Sequence, residues 1–387
     1  MATSNDRLHI FIVAGEPSGD ALGGRLMAAL NSATSQGITY SGVGGPQMEA
    51  QGLESLFDYS QLAVMGLLEV ISQAPRLLRR IRDVASAIET LRPDAIVTID
   101  APSFVFAVLR RLKSHDRPRI HYVAPQVWAW RPKRASKIKK HVDHILALFP
   151  FEPACFETVD MPCTFVGHPV LETAATAEEG RAFRANHDIG ADALVLCALP
   201  GSRRTEVQKL KPAITESISR LASLHGNLHV VIPAVSTVLE DVRGIASTGA
   251  PTTIIADVAE KPAAMVASNV AIAASGTATL ELACAGVPSV VIYKVARVTG
   301  WLGKWLVNVK YAAIVNILAD REVLPELLQG DCKSKKIVAA VEELIENESR
   351  RREIMDAEIA VVRQLSFDGE TPSERAAKET LRIIGEF

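Results

Sequence analysis

Leu8-His9-Ile10-Phe11-Ile12-Val13-Ala14-Gly15-Glu16-Pro17-Ser18-Gly19-Asp20 runs from an apolar stretch straight into a glycine turn, and a helical pattern through Leu26 and Leu30 follows. A continuous apolar run without polar alternation is what a strand buried on both faces looks like, and such strands belong to parallel sheets covered by helices. The same succession returns at Leu194–Leu199, which enters Pro200-Gly201-Ser202-Arg203-Arg204-Thr205-Glu206. It returns again at Val270–Ala273, which enters Ala274-Ser275-Gly276-Thr277-Ala278-Thr279-Leu280-Glu281. Further candidate strands, Ala95–Ile99, Ile120–Val123, Ile145–Leu148, Leu228–Pro233, Thr253–Ala256 and Ser289–Tyr293, alternate with helical patterns. Alternation of this kind is the signature of βαβ units. From about Glu172 to Asp192 there is no strand signal, only Ala and charge. The expected fold is therefore α/β with two Rossmann-like domains, 1–171 and 193–387, joined by a linker region at 172–192. From Ser334 onward the pattern is helical, and Thr371-Pro372-Ser373-Glu374 reads as a helix start.

Composition agrees with two domains. The chain has 387 residues, 48% hydrophobic and 22% charged, which excludes disorder, collagen and fibre. Forty-two Lys and Arg against 44 Asp and Glu leave a formal charge of −2, so no whole-chain basic field draws in nucleic acid, and no such partner is expected. The cysteines, Cys155, Cys163, Cys197, Cys284 and Cys332, are odd in number and scattered, without a CxxC pair. Reduced thiols in a cytosolic setting are the simplest expectation. The N-terminal residues lack the basic start, long apolar stretch and small-residue cleavage site of a secretory signal. No window approaches the roughly 18 apolar residues of a membrane span.

The glycine turns carry the candidate chemistry. A turn between strand and helix presents backbone N–H groups at the positive end of the helix dipole, where an anion or a sugar hydroxyl can sit. The first is not GxGxxG, so the nicotinamide-dinucleotide fingerprint is absent there, and alone it is equally an ordinary tight βα turn; for the second, a solvated turn with surface arginines is the alternative. Arg203 and Arg204 add forked donors suited to phosphate. Small residues at Ser275-Gly276-Thr277 let a ligand approach the backbone, and Glu281 lies about one turn into the following helix, within reach of ribose hydroxyls. A favourable first-turn carboxylate is the alternative for Glu281. Asp100 follows strand Ala95–Ile99 directly, where open α/β sheets bind ligands, so it is a general-base candidate; a helix-capping Asp is the competing role. Glu16 and Asp20 stand as further cleft carboxylates, and His168 beside Pro169 is more often structural. No Asp-x-Asp pair is present, so no metal and no cofactor are expected.

Three segments suggest surface contacts. Leu62 to Ile71 is almost wholly apolar and precedes Arg76, Arg79, Arg80 and Arg82, which suits a peripheral membrane helix as well as core packing. Val298, Trp301, Leu302, Trp305, Leu306 and Val309 form one helical stripe flanked by Lys294, Arg297, Lys304 and Lys310. Between Arg131 and Lys140 lie Arg131, Lys133, Arg134, Lys137, Lys139 and Lys140, a basic patch suited to a phosphate or an anionic lipid. Nucleic-acid binding and a solvated face remain alternatives there.

Taken in order, Ala14-Gly15-Glu16-Pro17-Ser18-Gly19-Asp20, Gly42-Val43-Gly44-Gly45, Ala63-Val64-Met65-Gly66, Ile99-Asp100-Ala101-Pro102, Val127-Trp128-Ala129-Trp130-Arg131, Val166-Gly167-His168-Pro169, Leu199-Pro200-Gly201-Ser202-Arg203, Ser275 to Glu281 and Asn316-Ile317-Leu318-Ala319 closely resemble the lipid-A-disaccharide synthases. That resemblance implies an inverting glycosyltransferase of GT-B architecture, two Rossmann-like domains facing a central cleft, the first binding acceptor and the second UDP-sugar. It implies transfer of 2,3-diacylglucosamine from UDP to 2,3-diacylglucosamine 1-phosphate, giving a β-1,6-linked disaccharide and UDP in lipid A biosynthesis. The setting it implies is peripheral, at the cytoplasmic face of the inner membrane, with a homodimer exchanging C-terminal parts. By carry-over, Asp100 matches the base and Glu16 a cleft carboxylate. Gly201, Ser202, Arg203, Gly276, Thr277, Ala278, Glu281 and Asn316 match donor positions. Ser18, Arg131, Lys133 and Arg134 are assigned to the acceptor, and Val64, Met65, Leu67 and Leu68 to membrane contact. Ser103 departs from the pattern, since many relatives carry a second acid there. Another UDP-sugar enzyme, such as a soluble transferase or a non-hydrolysing 2-epimerase, and a non-catalytic UDP-sugar-lipid binding protein are the competing functions.

Overall fold

A computed structural model describes residues 7–62, 67–113, 116–127, 134–246, 249–294 and 310–386, with the backbone alone at Ser60 and 67–73. Two compact units result. One takes the residues up to Pro169 together with those from Leu365; the other spans Val170–Gln364.

The first unit holds strands β1 (Leu8–Ala14), β2 (Ile38–Val43), β3 (Leu53–Ser55), β4 (Ala95–Ile99), β5 (Arg119–Tyr122), β6 (His144–Ala147) and β7 (Cys163–Phe165). They form one sheet in the order β3-β2-β1-β4-β5-β6-β7, every pair parallel. Ile10, Phe11, Ile12, Val97 and Ile99 have no exposed surface. Each such side chain contributes about 1.5–3 kcal/mol of burial, which is why these runs occupy the sheet centre. The second unit repeats the design with β8 (Leu194–Leu199), β9 (Leu228–Pro233), β10 (Thr252–Ile255), β11 (Val270–Ala274), β12 (Ser289–Tyr293) and β13 (Glu326–Leu328). Its order is β10-β9-β8-β11-β12-β13, again parallel throughout.

Both orders reverse direction once, between β1 and β4 in the first sheet and between β8 and β11 in the second. At such a switch point the connections leave toward opposite sides and open a crevice beyond the carboxyl ends of the strands. All three glycine turns and Asp100 lie at those four strand ends.

The stretch 172–192, expected as a linker, belongs to the second unit. It carries helix Ala177–Asn186, whose N-terminus is closed by a reciprocal capping box between Thr176 and Glu179. Phe183 packs with Val195, Val231 and Ile255 in the core, and a Cβ at Gly180 would stand 2.7 Å from Val266, so Gly180 lets the helix seat closely. Helix Pro372–Glu386 returns to the first unit and lies along helix Pro17–Ala33. There Thr164 Oγ1 donates to Glu379 at 2.7 Å, and the Arg375 guanidinium stacks 3.7 Å over the Phe367 ring.

Several expectations fall outside the described residues: Val64 and Met65, Arg131 and Lys133, and the Val298–Val309 stripe. Leu67 and Leu68 lie on helix Leu67–Leu91, where only the backbone is described. Arg134 precedes the short helix Ala135–Ile138 and is exposed with Lys137, Lys139 and Lys140, while Ala135 and Ile138 face the core. Among the described residues no helix is long and apolar enough to cross a membrane.

Candidate active site

In the first unit the switch point is built from strained backbone. Asp100 and Ala101 both adopt left-handed conformations, with φ of 47° and 44°. Val123, at the end of neighbouring β5, has φ of 80° and is the one β-branched residue in that region among the described residues. Such conformations cost on the order of 1–3 kcal/mol each and persist where the surroundings over-determine them. Here the strand ladder does so: the Asp100 N–H donates to Tyr122 O at 3.0 Å, and the Val123 N–H to Leu146 O at 3.0 Å. The result turns the chain sharply off β4 and leaves the Asp100 carboxyl at the strand end rather than on the helix.

Capping does not account for Asp100. The cap position of helix Pro102–Leu109 is Ala101, whose carbonyl accepts from Phe104 and Val105 N–H. Burial pushes the Asp100 carboxyl above the usual carboxylate range, and a hydrogen bond from the Ala101 N–H opposes that only in part. A carboxylate with an elevated proton affinity, held on rigid backbone at a switch point, is equipped to accept a proton. Beside it, a Cβ on Gly15 would come 3.1 Å from the Ala101 Cβ, so glycine is what lets the β1 turn close against the Asp100 loop. Glu16 caps the backbone end of helix Pro17–Ala33 and is exposed, as is Ser18.

Asp20 is different. It is 3% exposed, and its carboxylate accepts N–H groups from Gly45, Gln47 and Met48 at 2.8–3.1 Å. It ties the β1 turn to the loop after β2 and is no cleft carboxylate. His168 is likewise structural: it is buried against the Phe149 ring, and burial with the nearby Arg25 charge pushes it down to about 4, so it stays neutral.

In the second unit, Gly201 follows β8 with φ of 108°, and a Cβ there would lie 2.8 Å from Glu206 Oε2. Only glycine fits. Arg203 is 77% exposed on its side chain and, among the described residues, pairs with Glu206 at 2.9 Å, an i,i+3 pair weak enough to yield to an anion. Tyr293, at the end of β12, feels both charges, since Glu206 raises and Arg203 lowers its proton affinity beneath the larger effect of burial. After β11, Gly276 has φ of 153°, and a Cβ there would meet no other described atom within 4 Å. Thr277 then caps helix Ala278–Ala285, whose first N–H groups and dipole point out at the turn. Glu281, one turn in, pairs with Lys261 at 2.5 Å.

A family model for lipid-A-disaccharide synthetase matches residues 10–380. The chain belongs to the lipid-A-disaccharide synthetase family. It is 48% identical over 380 residues to the lipid-A-disaccharide synthase of Rhodospirillum centenum, covering 97% of this chain and 95% of that one. The Paramagnetospirillum magneticum lipid-A-disaccharide synthase is 43% identical, with 97% of each chain covered. Among solved structures, the S. aureus MnaA–UDP co-structure aligns with a TM-score of 0.68 over 98% of both chains at 14% identity. The Acinetobacter baumannii MurG structure gives 0.57 at 11% identity, over 98% of this chain and 100% of that one. At those identities the structural likeness shows the fold alone, a two-domain α/β fold of GT-B type. Membership in the synthetase family makes the chain a glycosyltransferase of lipid A assembly.

Within this lipid-A-disaccharide synthetase fold, the structure gathers Glu16, Ser18 and Asp100 at the β1–β4 switch point. It gathers Gly201, Ser202, Arg203, Gly276, Thr277, Ala278 and Glu281 at the β8–β11 switch point. Asn316 sits apart from the turns, fully buried on helix Ile314–Ala319. Lys261, Tyr293 and Glu326 gave no signal in the sequence, because nothing in their spacing says that the fold carries them to these strand ends. Among the described residues no group of three His, Cys, Asp or Glu side chains comes together as metal ligands do.

Proposed function

We propose that the second unit binds UDP-2,3-diacylglucosamine, and that the first unit binds 2,3-diacylglucosamine 1-phosphate and supplies Asp100 as general base. Asp100 takes the proton of the acceptor 6-hydroxyl as that oxygen attacks the anomeric carbon. The new C–O bond forms on the face opposite the breaking bond to the diphosphate, so the α-linked donor yields a β-1,6-linked disaccharide 1-phosphate and UDP. Negative charge growing on UDP meets the N–H groups before helix Ala278–Ala285 and the Arg203 guanidinium, which do the work a metal ion does elsewhere. Glu281, one turn along that helix, and its partner Lys261 serve the ribose. The observation that carries this is Asp100, held off the helix cap at φ of 47° with its proton affinity raised by burial.

The acyl chains of both substrates require access to a bilayer. The apolar segment Leu62–Ile71 serves as a peripheral contact at the cytoplasmic face of the inner membrane, and the basic patch from Arg131, Lys133 and Arg134 onward attracts the acceptor phosphate or anionic lipid. The test is product analysis of the purified chain in mild detergent with EDTA and both lipid substrates. UDP appearing together with a lipid disaccharide phosphate supports the reaction and its independence of metal. No product, or product only when Mg²⁺ is restored, overturns the corresponding part. Charged replacements at Val64, Leu67 and Leu68 should release the protein from vesicles, and unchanged sedimentation would refute the membrane contact.

A further inference from the structure

Glu326 stands on β13, a three-residue strand at the edge of the second sheet. Its carboxylate nevertheless gathers an unusual set of donors. Ala312 N–H reaches both oxygens, at 3.0 and 2.9 Å, Ala313 N–H reaches Oε1 at 2.8 Å, and Asn316 Nδ2 reaches Oε1 at 2.8 Å. The backbone around Ala312 is irregular, and among the described residues its N–H groups have no ladder partner, so they take one from a side chain. Asn316 completes the network. Its second N–H donates to Leu324 O at 2.9 Å, and its Oδ1 accepts from Val323 and Leu324 N–H at 2.9 and 2.8 Å. Two donors and two acceptor positions are all that an amide side chain has, so every one is used inside the fold.

The network ends at the glycine turn. The Ala312 carbonyl accepts the Ser275 hydroxyl at 2.7 Å, and the Ser275 N–H donates to Ile292 O at 3.2 Å. Ser275 directly precedes Gly276, the residue with the least steric resistance to wandering. The direction of the turn's N–H groups therefore depends on where Ala312 is held, and Ala312 is held by Glu326.

We propose that Glu326 is a positioning residue for the donor turn, acting through Ala312 and Ser275, and that Asn316 serves the same brace rather than touching the nucleotide. The proposal rests on the assignment of Ser275-Gly276-Thr277 to the sugar-nucleotide donor. A brace of this kind affects one substrate and not the other. Hydrogen bonds to a carboxylate are strong enough for their loss to weaken donor binding by about tenfold.

The test uses the full chain in detergent, with KM measured separately for donor and acceptor and UDP affinity measured by calorimetry. Glu326→Ala and Ser275→Ala should each raise the donor KM and weaken UDP binding by about tenfold, with the acceptor KM within about twofold. Combined, they should do no more than the larger single change, because both act through Ala312. Glu326→Gln keeps an oxygen at the Oε1 position and should restore the donor KM to within about threefold. A donor KM that stays normal in Glu326→Ala, both KM values rising together with a lowered Tm, or multiplying single effects would each overturn the proposal. Should Glu326→Ala fail to fold, normal UDP affinity in Ser275→Ala overturns it equally. Gly276→Val separates the two levels: if it binds UDP normally, the donor assignment falls and takes the brace with it. If it loses UDP while Ser275→Ala and Glu326→Ala retain it, the brace alone falls.

Discussion

Asp100→Asn separates the chemistry of the carboxylate from the backbone that carries it. Residue 100 has φ of 47°, a conformation that Asn and Asp enter more readily than other L residues. Asn therefore keeps the turn, including the N–H that donates to Tyr122 O at 3.0 Å. Ala at this position would add roughly 1–2 kcal/mol of left-handed strain and mix a folding defect into the result. What Asn cannot do is take a proton from the attacking hydroxyl. A positioned general base contributes about 10²–10⁴ in rate, so kcat should fall by that factor with both KM values within about threefold. The pH profile gives an independent check. Burial raises the Asp100 proton affinity, so wild-type kcat should climb with pH along a limb lying above the ordinary carboxylate range. The Asn variant should lack that limb. Steady-state rates between about pH 4.5 and 8.5, with thermal melts on the same samples, decide it. A folded variant within about tenfold of wild-type turnover, or one that keeps the acid limb, would refute Asp100 as the base.

Glu358, on helix Glu348–Leu365, is fully buried, neither carboxylate oxygen has a hydrogen-bond partner among the described residues, and burial raises its proton affinity well above normal. A raised folded-state pKa means that its contribution is complete below the unfolded pKa and is lost as pH rises through the folded value. Glu358→Gln should therefore match wild type near pH 4 and exceed it by about 1–3 kcal/mol at pH 8 in denaturant titrations; a pH-independent gap would count against this. Lys261→Met removes the 2.5 Å partner of Glu281, and because both side chains are about 30% exposed the loss is modest: a donor KM higher by about two- to fivefold at unchanged kcat. An unchanged donor KM would leave the pair without a role in donor binding. Asp20→Ala strands the buried N–H groups of Gly45 and Met48 and the part-buried one of Gln47, and should cost about 3 kcal/mol in urea unfolding. Asp20→Asn, which can still accept from Gly45 and Met48, should cost less than half of that, and equal losses would refute the clamp.

The central strands were legible because burial on both faces demands uninterrupted apolar residues. Leu8–Ala14, Ala95–Ile99, Leu194–Leu199, Leu228–Pro233 and Ser289–Tyr293 match the structure to the residue. The strands Ile38–Val43, Leu53–Ser55, Cys163–Phe165 and Glu326–Leu328 were not, since they are short or polar. Gly42 shows the difficulty: with φ of 147° and a Cβ that would lie 1.8 Å from Ile12 O, it is required by packing but reads as a strand breaker. Helix Ala177–Asn186 was hidden because its single core anchor, Phe183, leaves no periodic stripe. Among the carboxylates, Asp20 and Asp100 look alike in sequence, each beside a strand end. Their difference lies in partners 25 or more positions away, or in backbone angles, and local spacing reports neither.

The return of helix Pro372–Glu386 to the first unit also sets an order of events during biosynthesis. The second unit is contiguous and can fold as soon as it leaves the ribosome, but the first has a gap along helix Pro17–Ala33 until its last helix arrives. The 215 positions between Thr164 and Glu379 take roughly 10–40 s to translate. For that interval the face of helix Pro17–Ala33 that helix Pro372–Glu386 covers must be shielded by something other than its final partner, which makes the nascent chain the form most exposed to chaperones and to aggregation.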